Sequence, residues 1–227
     1  MPLITNESHC LSIISNDNVT SILKVSAKTI YNCFVKLKYV TPTALSKWDV
    51  ICEPSDWKSV FKLPYSCSRE PYLQALQYRI IHRFLPCNKW LCNISIKNYN
   101  TCDRCGTVDT IEHYLYSCQP VRTFWNEVET WWNSVSPNPV VLTEKHVIFG
   151  FYYDLPHFEN VNYLLILGKM YIYNCNLSEN DVYFNTFLLM AKRKLEIEKI
   201  ICTNNQTLTK FNKKWSCIVE NLTTLYD

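Results

Sequence analysis

Apolar positions recur at helical rather than strand spacing over most of the chain. Ser26-Ala27-Lys28-Thr29 leads into Ile30, Tyr31, Phe34 and Val35, an amphipathic pattern that predicts a short helix. Pro42 and the Pro54-Ser55-Asp56 cluster mark turns around further short helical pieces, one of them carrying Trp57, Val60 and Phe61. Residues 72–85 place Leu73, Leu76, Ile80 and Phe84 on one stripe with Arg79, His82 and Arg83 beside it, and Pro86 ends the pattern. A first-turn proline, Pro120, opens the next helix, whose Val121, Phe124, Trp125, Val128, Trp132 and Val135 form a broad aromatic face before Pro137-Asn138-Pro139. Residues 140–153 are apolar without a clean period, which fits a short strand or a loop. Three C-terminal helices follow at about 160–173, 181–201 and 208–222, the last repeating Leu208, Phe211, Trp215, Ile218 and Leu222 in steps of three and four.

This pattern predicts a mainly α, irregular helical fold. Residues 1–20 read as an N-terminal tail, and 21–227 as one helical domain with a cysteine-rich segment embedded at 102–118. A chain of 227 residues that is 48% hydrophobic, with only 3 glycines, has the material for a packed core. The opening residues carry neither a basic region nor an apolar run of signal-peptide type, and the longest apolar stretch, 163–173, is far too short to span a bilayer. The expectation is an intracellular protein, nuclear or cytoplasmic, with no membrane partner and with its 12 cysteines reduced. On that reading the six Asn-x-Ser/Thr triplets are not glycosylation sites.

The pointed chemistry is Cys102-x2-Cys105-x7-His113-x4-Cys118. Two cysteines two residues apart, with Gly106 just beyond, turn both sulfurs to one point, which is half of a tetrahedral site. Thr110-Ile111-Glu112 starts a helix that places His113 in its first turn. Cys118, about 140° further round such a helix, must then sit past the helix end and fold back. Four protein ligands leave no open position, so the implied cofactor is a structural Zn2+ held by Cys102, Cys105, His113 and Cys118. The remaining cysteines are scattered or lack a second pair and read as small buried hydrophobes. Nucleophile-elbow, His-Glu-x-x-His, phosphate-loop and dinucleotide strings are absent, as is the Pro-Cys-x-x-Cys half of a zinc deaminase signature, and the expectation is a non-enzymatic protein.

Net charge is only +3, but it is unevenly placed. Lys192, Arg193, Lys194, Lys199, Lys210, Lys213 and Lys214 face only Glu196 and Glu198 between residues 190 and 215. A second set comprises Arg79, Arg83, Lys89 and Lys97. Cations arrayed this way suit phosphate contacts, and they serve equally as solvated helix faces. Of the aromatic residues, Trp125, Trp132 and Trp215 lie on apolar stripes and should pack, whereas Trp131, Tyr114 and Tyr116 are the better candidates for exposed rings.

Residues 72–89 (Tyr72-Leu73-Gln74-Ala75-Leu76-Gln77-Tyr78-Arg79-Ile80-Ile81-His82-Arg83-Phe84-Leu85-Pro86-Cys87-Asn88-Lys89), the cysteine pair, Thr110-Ile111-Glu112-His113-Tyr114-Leu115-Tyr116-Ser117-Cys118 and Val121-x2-Phe124-Trp125 together resemble the C-terminal region of the reverse-transcriptase protein of LINE-type, non-LTR retrotransposons. The likeness runs upstream to Lys28-x-Ile30-Tyr31, Pro42-Thr43 and Lys47-Trp48, and downstream through Phe149-Gly150, Leu165-Ile166-Leu167-Gly168-Lys169 and Lys213-Lys214-Trp215, covering roughly residues 20–215. In that family the region follows the polymerase and carries a zinc-knuckle-like motif implicated in binding the element's RNA. The resemblance implies that Cys102, Cys105, His113 and Cys118 act together and that the partner is RNA or another nucleic acid, with a retrotransposon polymerase as a partner in trans. The polymerase Tyr-x-Asp-Asp string and an endonuclease region are absent, so the chain looks like a detached C-terminal piece. The alternative expectation is a helical scaffold whose cysteine motif is purely architectural.

Overall fold

The computed structural model describes residues 3–7, 10–15, 18–38, 40, 43–48 and 56–224, and it is mainly α. Residues 1–43 and 44–227 form separate compact units. In the first, strands β1 (Leu3–Glu7), β2 (Cys10–Ser15) and β3 (Asn18–Ser21) pair antiparallel in sequence order, with Leu3 opposite Ile14 and Ser12 opposite Ser21. The segment that reads as a tail is therefore a small meander. Its Ile4, Thr5, Ile13, Ile14, Val19 and Thr20 are strand-favouring β-branched residues. Helix α1 (Ala27–Lys38) belongs to this unit as well, and Cys33 is its one buried residue among those described.

The second unit contains α2 (Thr43–Trp48), whose first residue falls at the unit boundary, α3 (Trp57–Cys67), α4 (Pro71–Ile81), α5 (Asn88–Asn93), α6 (Gln119–Val135), α7 (Glu144–Phe149), α8 (Glu159–Leu177), α9 (Phe184–Asn204) and α10 (Leu208–Thr224). Helix α8 is the centre of the packing. Every residue from Val161 to Tyr173 is buried, which is why this stretch is apolar on all sides, apart from Asn162 and Lys169, instead of carrying a stripe. The α6 indole of Trp125 lies so close to α8 that a Cβ at Gly168 would stand 2.6 Å from its ring, and Tyr163 meets the α10 ring of Trp215 edge-on at 5.4 Å. The periodic positions of α10 pack as the sequence predicts, with Phe211, Trp215, Ile218 and Leu222 all buried. Trp125 and Trp132 are buried too, as expected.

Three aromatic expectations are overturned. Trp131 is buried, donates to Asn221 Oδ1 at 2.9 Å and meets Phe184 at 6.3 Å, because α9 and α10 cover the side of α6 that a lone helix would show to water. Tyr114 and Tyr116 are buried beside the cysteine motif, the latter with its hydroxyl on Leu142 C=O at 3.1 Å. The unassigned stretch 140–153 holds α7, capped at its start by Thr143, whose Oγ1 accepts from the His146 amide while the His146 ring reaches back to the cap.

Only three glycines punctuate the chain, and four helices end without one. Arg83, Ser95, Glu179 and Gln206 all adopt positive φ, between 54° and 60°. In each case the next amide donates back to the carbonyl five residues before it: Phe84 to Arg79, Ile96 to Leu91, Asn180 to Cys175 and Thr207 to Cys202, at 2.8–2.9 Å. These are left-handed helix stops of the kind glycine normally makes. A side chain with a Cβ pays about 1 kcal/mol or more there. Glu179→Gly and Gln206→Gly are each expected to raise unfolding free energy by about 0.5–1 kcal/mol in urea titrations, since neither side chain makes a recorded contact.

Candidate metal centre and its basic surroundings

The first two cysteines sit at the tip of a tight hairpin. Thr101 and Val108 face each other across it, the Cys102 amide donates to Thr107 C=O at 2.7 Å, and the Gly106 amide donates back to Cys102 C=O at 2.8 Å. Gly106 has φ of 74°, which the turn requires and which an L side chain rarely adopts. Both sulfurs accept backbone hydrogen bonds, Cys102 from the amides of Arg104 and Cys105, and Cys105 from Thr107, whose side chain adds another. The loop thus presents N–H groups to the sulfurs, the arrangement that favours thiolates.

The other two ligands come from residues 111–118. Helical hydrogen bonding starts at Ile111, then widens into a π turn over His113–Ser117, and the Cys118 amide closes on His113 C=O at 3.0 Å, five residues back. The overshoot expected of a regular helix is removed by this widening, which brings Cys118 nearly below His113. Cys118 itself is extended and precedes the first residue of α6, so it does lie beyond the helical turn. The ligand atoms of Cys102, Cys105, His113 and Cys118 are all within 4.8 Å of one another. Cys102 and Cys118 sulfurs are 3.8 Å apart, Cys105 and Cys118 sulfurs 4.0 Å, and Cys105 Sγ is 3.2 Å from His113 Nε2. A tetrahedron with metal–sulfur bonds of about 2.3 Å has edges of about 3.8 Å. The four residues form a site of a size to hold a metal ion, and Cys102, Cys105 and Cys118 are free thiols.

The electrostatics differ among the four residues. Burial, joined by the neighbouring Cys102, pushes the Cys118 thiol up to about 12, and burial raises Cys102. Hydrogen bonds from Thr107 lower the exposed Cys105. Burial lowers His113, which leaves its imidazole neutral at pH 7 and free to donate a lone pair. Three crowded thiolates need a cation among them to coexist.

Residues that the sequence reading did not single out hold this site in place. Asn88, buried at the start of α5, donates from its amide to Asp109 Oδ2 at 2.7 Å and from Nδ2 to Thr101 C=O at 2.8 Å, and accepts from Lys97 Nζ at 2.8 Å. Lys97, part of the second basic set, is thereby engaged in the hairpin, 3.7 Å from Asp103 as well. Arg83 Nη1 stands 2.6 Å from Glu112 Oε1, neither atom having a further hydrogen-bond partner, and its guanidinium lies 4.0 Å over the Trp48 ring. Glu112 directly precedes His113, so Arg83 ties the end of α4 to a candidate metal ligand. The left-handed backbone at Arg83 aims the side chain there. The only sequence signal for these partners is their place within 72–118, since nothing local marks an asparagine or glutamate as a buried clamp.

The structure divides the predicted basic residues. Lys194, Lys210, Lys213 and Lys214 line a groove of about 860 Å³ formed by the end of α3, the start of α8, α9 and α10. Arg69 joins them there, with Glu70, Glu159 and Glu198 also on the walls. Lys194 pairs with Glu70, and Lys214 with Glu159 at 2.7 Å. Lys192 and Lys199 border a small hollow of about 130 Å³ between α9 and α10, while Arg193 is exposed on α9. Arg79, Arg83 and Lys89 stand apart from the groove. Arg79 lies 6.0 Å over the Tyr173 ring, Arg83 is spent on Glu112 and Trp48, and Lys89 is exposed on α5. Among the described residues, no helix is long and apolar enough to cross a membrane.

Comparison with protein-family models, with curated proteins and with solved structures finds no match.

Proposed function

We propose that this chain is a non-enzymatic nucleic-acid-binding module built around a structural zinc ion. The observation that carries the metal half of the reading is the closure of the site: four ligand atoms within 4.8 Å, two on a hydrogen-bonded hairpin tip and two across a π turn. Three sulfurs and one imidazole are a borderline-soft donor set that suits Zn2+, and four protein ligands leave no place for substrate or an activated water. Zinc here fastens a hairpin to the start of α6 and performs no chemistry.

The nucleic-acid half rests on charge and on the ordered resemblance to the LINE-type region, which favours RNA and makes a retrotransposon polymerase the natural partner in trans. Exposed Arg193, Lys199, Lys210 and Lys213 on α9 and α10 are cations without a recorded ion pair, and two of them open onto the groove. A second reading, a scaffold that binds no nucleic acid, draws on the pairing of Lys194 and Lys214 with glutamates of other segments, which spends basic residues on packing.

Two measurements on the purified, reduced protein separate these readings. Elemental analysis should return one zinc per chain. Titration of labelled single-stranded RNA should show affinity falling steeply with salt, with a logarithmic slope of about −0.7 per phosphate contact. The double charge reversal Lys210→Glu, Lys213→Glu should flatten that slope by one to two contacts. A folded, zinc-loaded protein with no affinity for RNA at low salt would leave the scaffold reading standing.

A further inference from the structure

The lysine-rich C-terminal helices do not account for a second face, formed by α3 and the end of α4. On α3, Lys58, Phe61, Lys62 and Tyr65 stand at i, i+3, i+4 and i+7 and so share one side of the helix. Lys58, Lys62 and Tyr65 are exposed and Phe61 is half-buried. The stripe continues across to α4 through ring contacts: Phe61 lies 5.5 Å from His82, His82 lies 4.2 Å from Tyr78, and His82 and Phe84 are nearly parallel at 6.2 Å. Trp57 extends the row behind Phe61 at 6.2 Å. Tyr65, Tyr78 and Phe84 are 61%, 48% and 56% exposed, far more than structural rings of a core would be. Burial holds His82 below the usual histidine pKa, so its ring is uncharged at neutral pH.

The charge around this row is one-sided. Residues 56–86 contain Lys58, Lys62, Arg69, Arg79 and Arg83 against Asp56 and Glu70, with Arg83 neutralised by Glu112. Both carboxylates are engaged, Asp56 as the cap of α3 accepting from the Ser59 amide and hydroxyl, and Glu70 with Lys194. A row of mutually tilted aromatic rings, with Tyr78 and Phe84 exposed and Lys58 and Lys62 exposed along its edge, offers no pocket for the side chains of an aliphatic peptide. It matches a polymer that offers flat π faces and a phosphate at every step.

Resting on the nucleic-acid reading above, we infer that the Phe61–His82–Tyr78–Phe84 row, edged by Lys58 and Lys62, is a stacking platform for the bases of a single strand. Recognition there is by π face and backbone charge, so it tolerates any base sequence and excludes a duplex, whose bases are already stacked.

The test compares a 15-nucleotide oligouridylate with an abasic strand of equal length and charge, each titrated by fluorescence anisotropy at fixed salt. The wild-type chain should bind the base-bearing strand more tightly. Tyr78→Ala combined with Phe84→Ala should weaken that binding about tenfold or more while leaving the abasic strand unaffected, and Tyr78→Phe, which keeps the ring, should bind as wild type does. Lys58→Glu with Lys62→Glu should weaken both strands alike. If the double aromatic variant does not fold, Phe84→Ala alone makes the same comparison from a ring that is more than half exposed. Equal affinity of the wild-type chain for both strands, or an aromatic variant that loses nothing, overturns the platform while the nucleic-acid reading survives on the α9–α10 lysines. Failure of the wild-type chain to bind either strand overturns both. An aromatic variant unchanged toward RNA but altered in self-association makes the row a protein contact and equally overturns the proposal.

Discussion

On the proposed zinc reading, Cys118→Ser should abolish metal binding and cost several kcal/mol of stability, a larger loss than any surface substitution in this chain. Structural zinc contributes on the order of 10 kcal/mol to small zinc-dependent folds, and a protein with its own core recovers part of that loss. Cys118 is the ligand with the widest structural reach. It is 1% exposed, it closes the π turn on His113, and it precedes the first turn of α6. From there the disturbance reaches Leu115, which is fully buried and accepts from the Trp125 indole at 2.7 Å, and through Trp125 it reaches α8 at Gly168. Cys105 is exposed at the hairpin tip, so Cys105→Ser should also lose metal but unfold mainly the segment around residues 100–120. Zinc content and urea midpoints of the two variants check the ranking. A Cys118→Ser protein that keeps its zinc, or that melts with the wild-type midpoint, is incompatible with a load-sharing tetrahedral site.

The metal site illustrates what could be read from residues alone. Spacing singled out four candidate ligands because two cysteines at i and i+3 and a histidine ahead of a third cysteine leave few geometric solutions, and the structure brings those four residues together. The periodicity of α6 and α10 was equally legible, since each is long and one-sided. What spacing could not supply was the partner of each polar side chain. Arg83 reads as a surface cation one turn from Arg79, yet the helix stop at its own position turns it onto Trp48 and Glu112, and that pairing depends on a helix some 30 residues away. Trp131 looked exposed for the same reason: a single helix does not reveal that two others pack on its back. The strands of residues 3–21 are four to six residues long, too brief for a period of two to stand out from the helical pattern around them.

The buried lysine of α8 should give this protein an unusual pH profile. Lys169 is wholly buried, and its ammonium nitrogen donates to Gln77 Oε1 and, at 3.2 Å, to Ile148 C=O, which also receives Gln77 Nε2 at 2.8 Å. That carbonyl belongs to the last turn of α7, where the chain leaves the helix at Gly150 with φ of 78° and has no intrahelical donor to offer it. Gln77 and Lys169 thus satisfy a helix end inside the core, which explains a lysine amid an apolar run. Among the described residues no carboxylate pairs with the ammonium group, and burial lowers its pKa from 10.5 to about 7. Between pH 7 and about 10 the unfolded chain therefore binds a proton that the folded chain does not, so stability rises with pH. From pH 7 to 9 the gain should be about 2 kcal/mol, because the slope starts at half of about 1.36 kcal/mol per unit at pH 7 and reaches its full value only above it. Above pH 9 the sign reverses for the thiols: burial pushes Cys67 up to about 12, so the unfolded chain loses protons that the folded one keeps. His82 and His146, lowered by burial, titrate below this window and cannot mimic the rise. Lys169→Met keeps the volume of the side chain and removes the titrating group. Buried thiols act on both proteins alike, so the difference in unfolding free energy between wild type and variant should grow by about 2 kcal/mol from pH 7 to 9 in urea titrations, and a difference that stays constant would mean that Lys169 stays charged in the folded core.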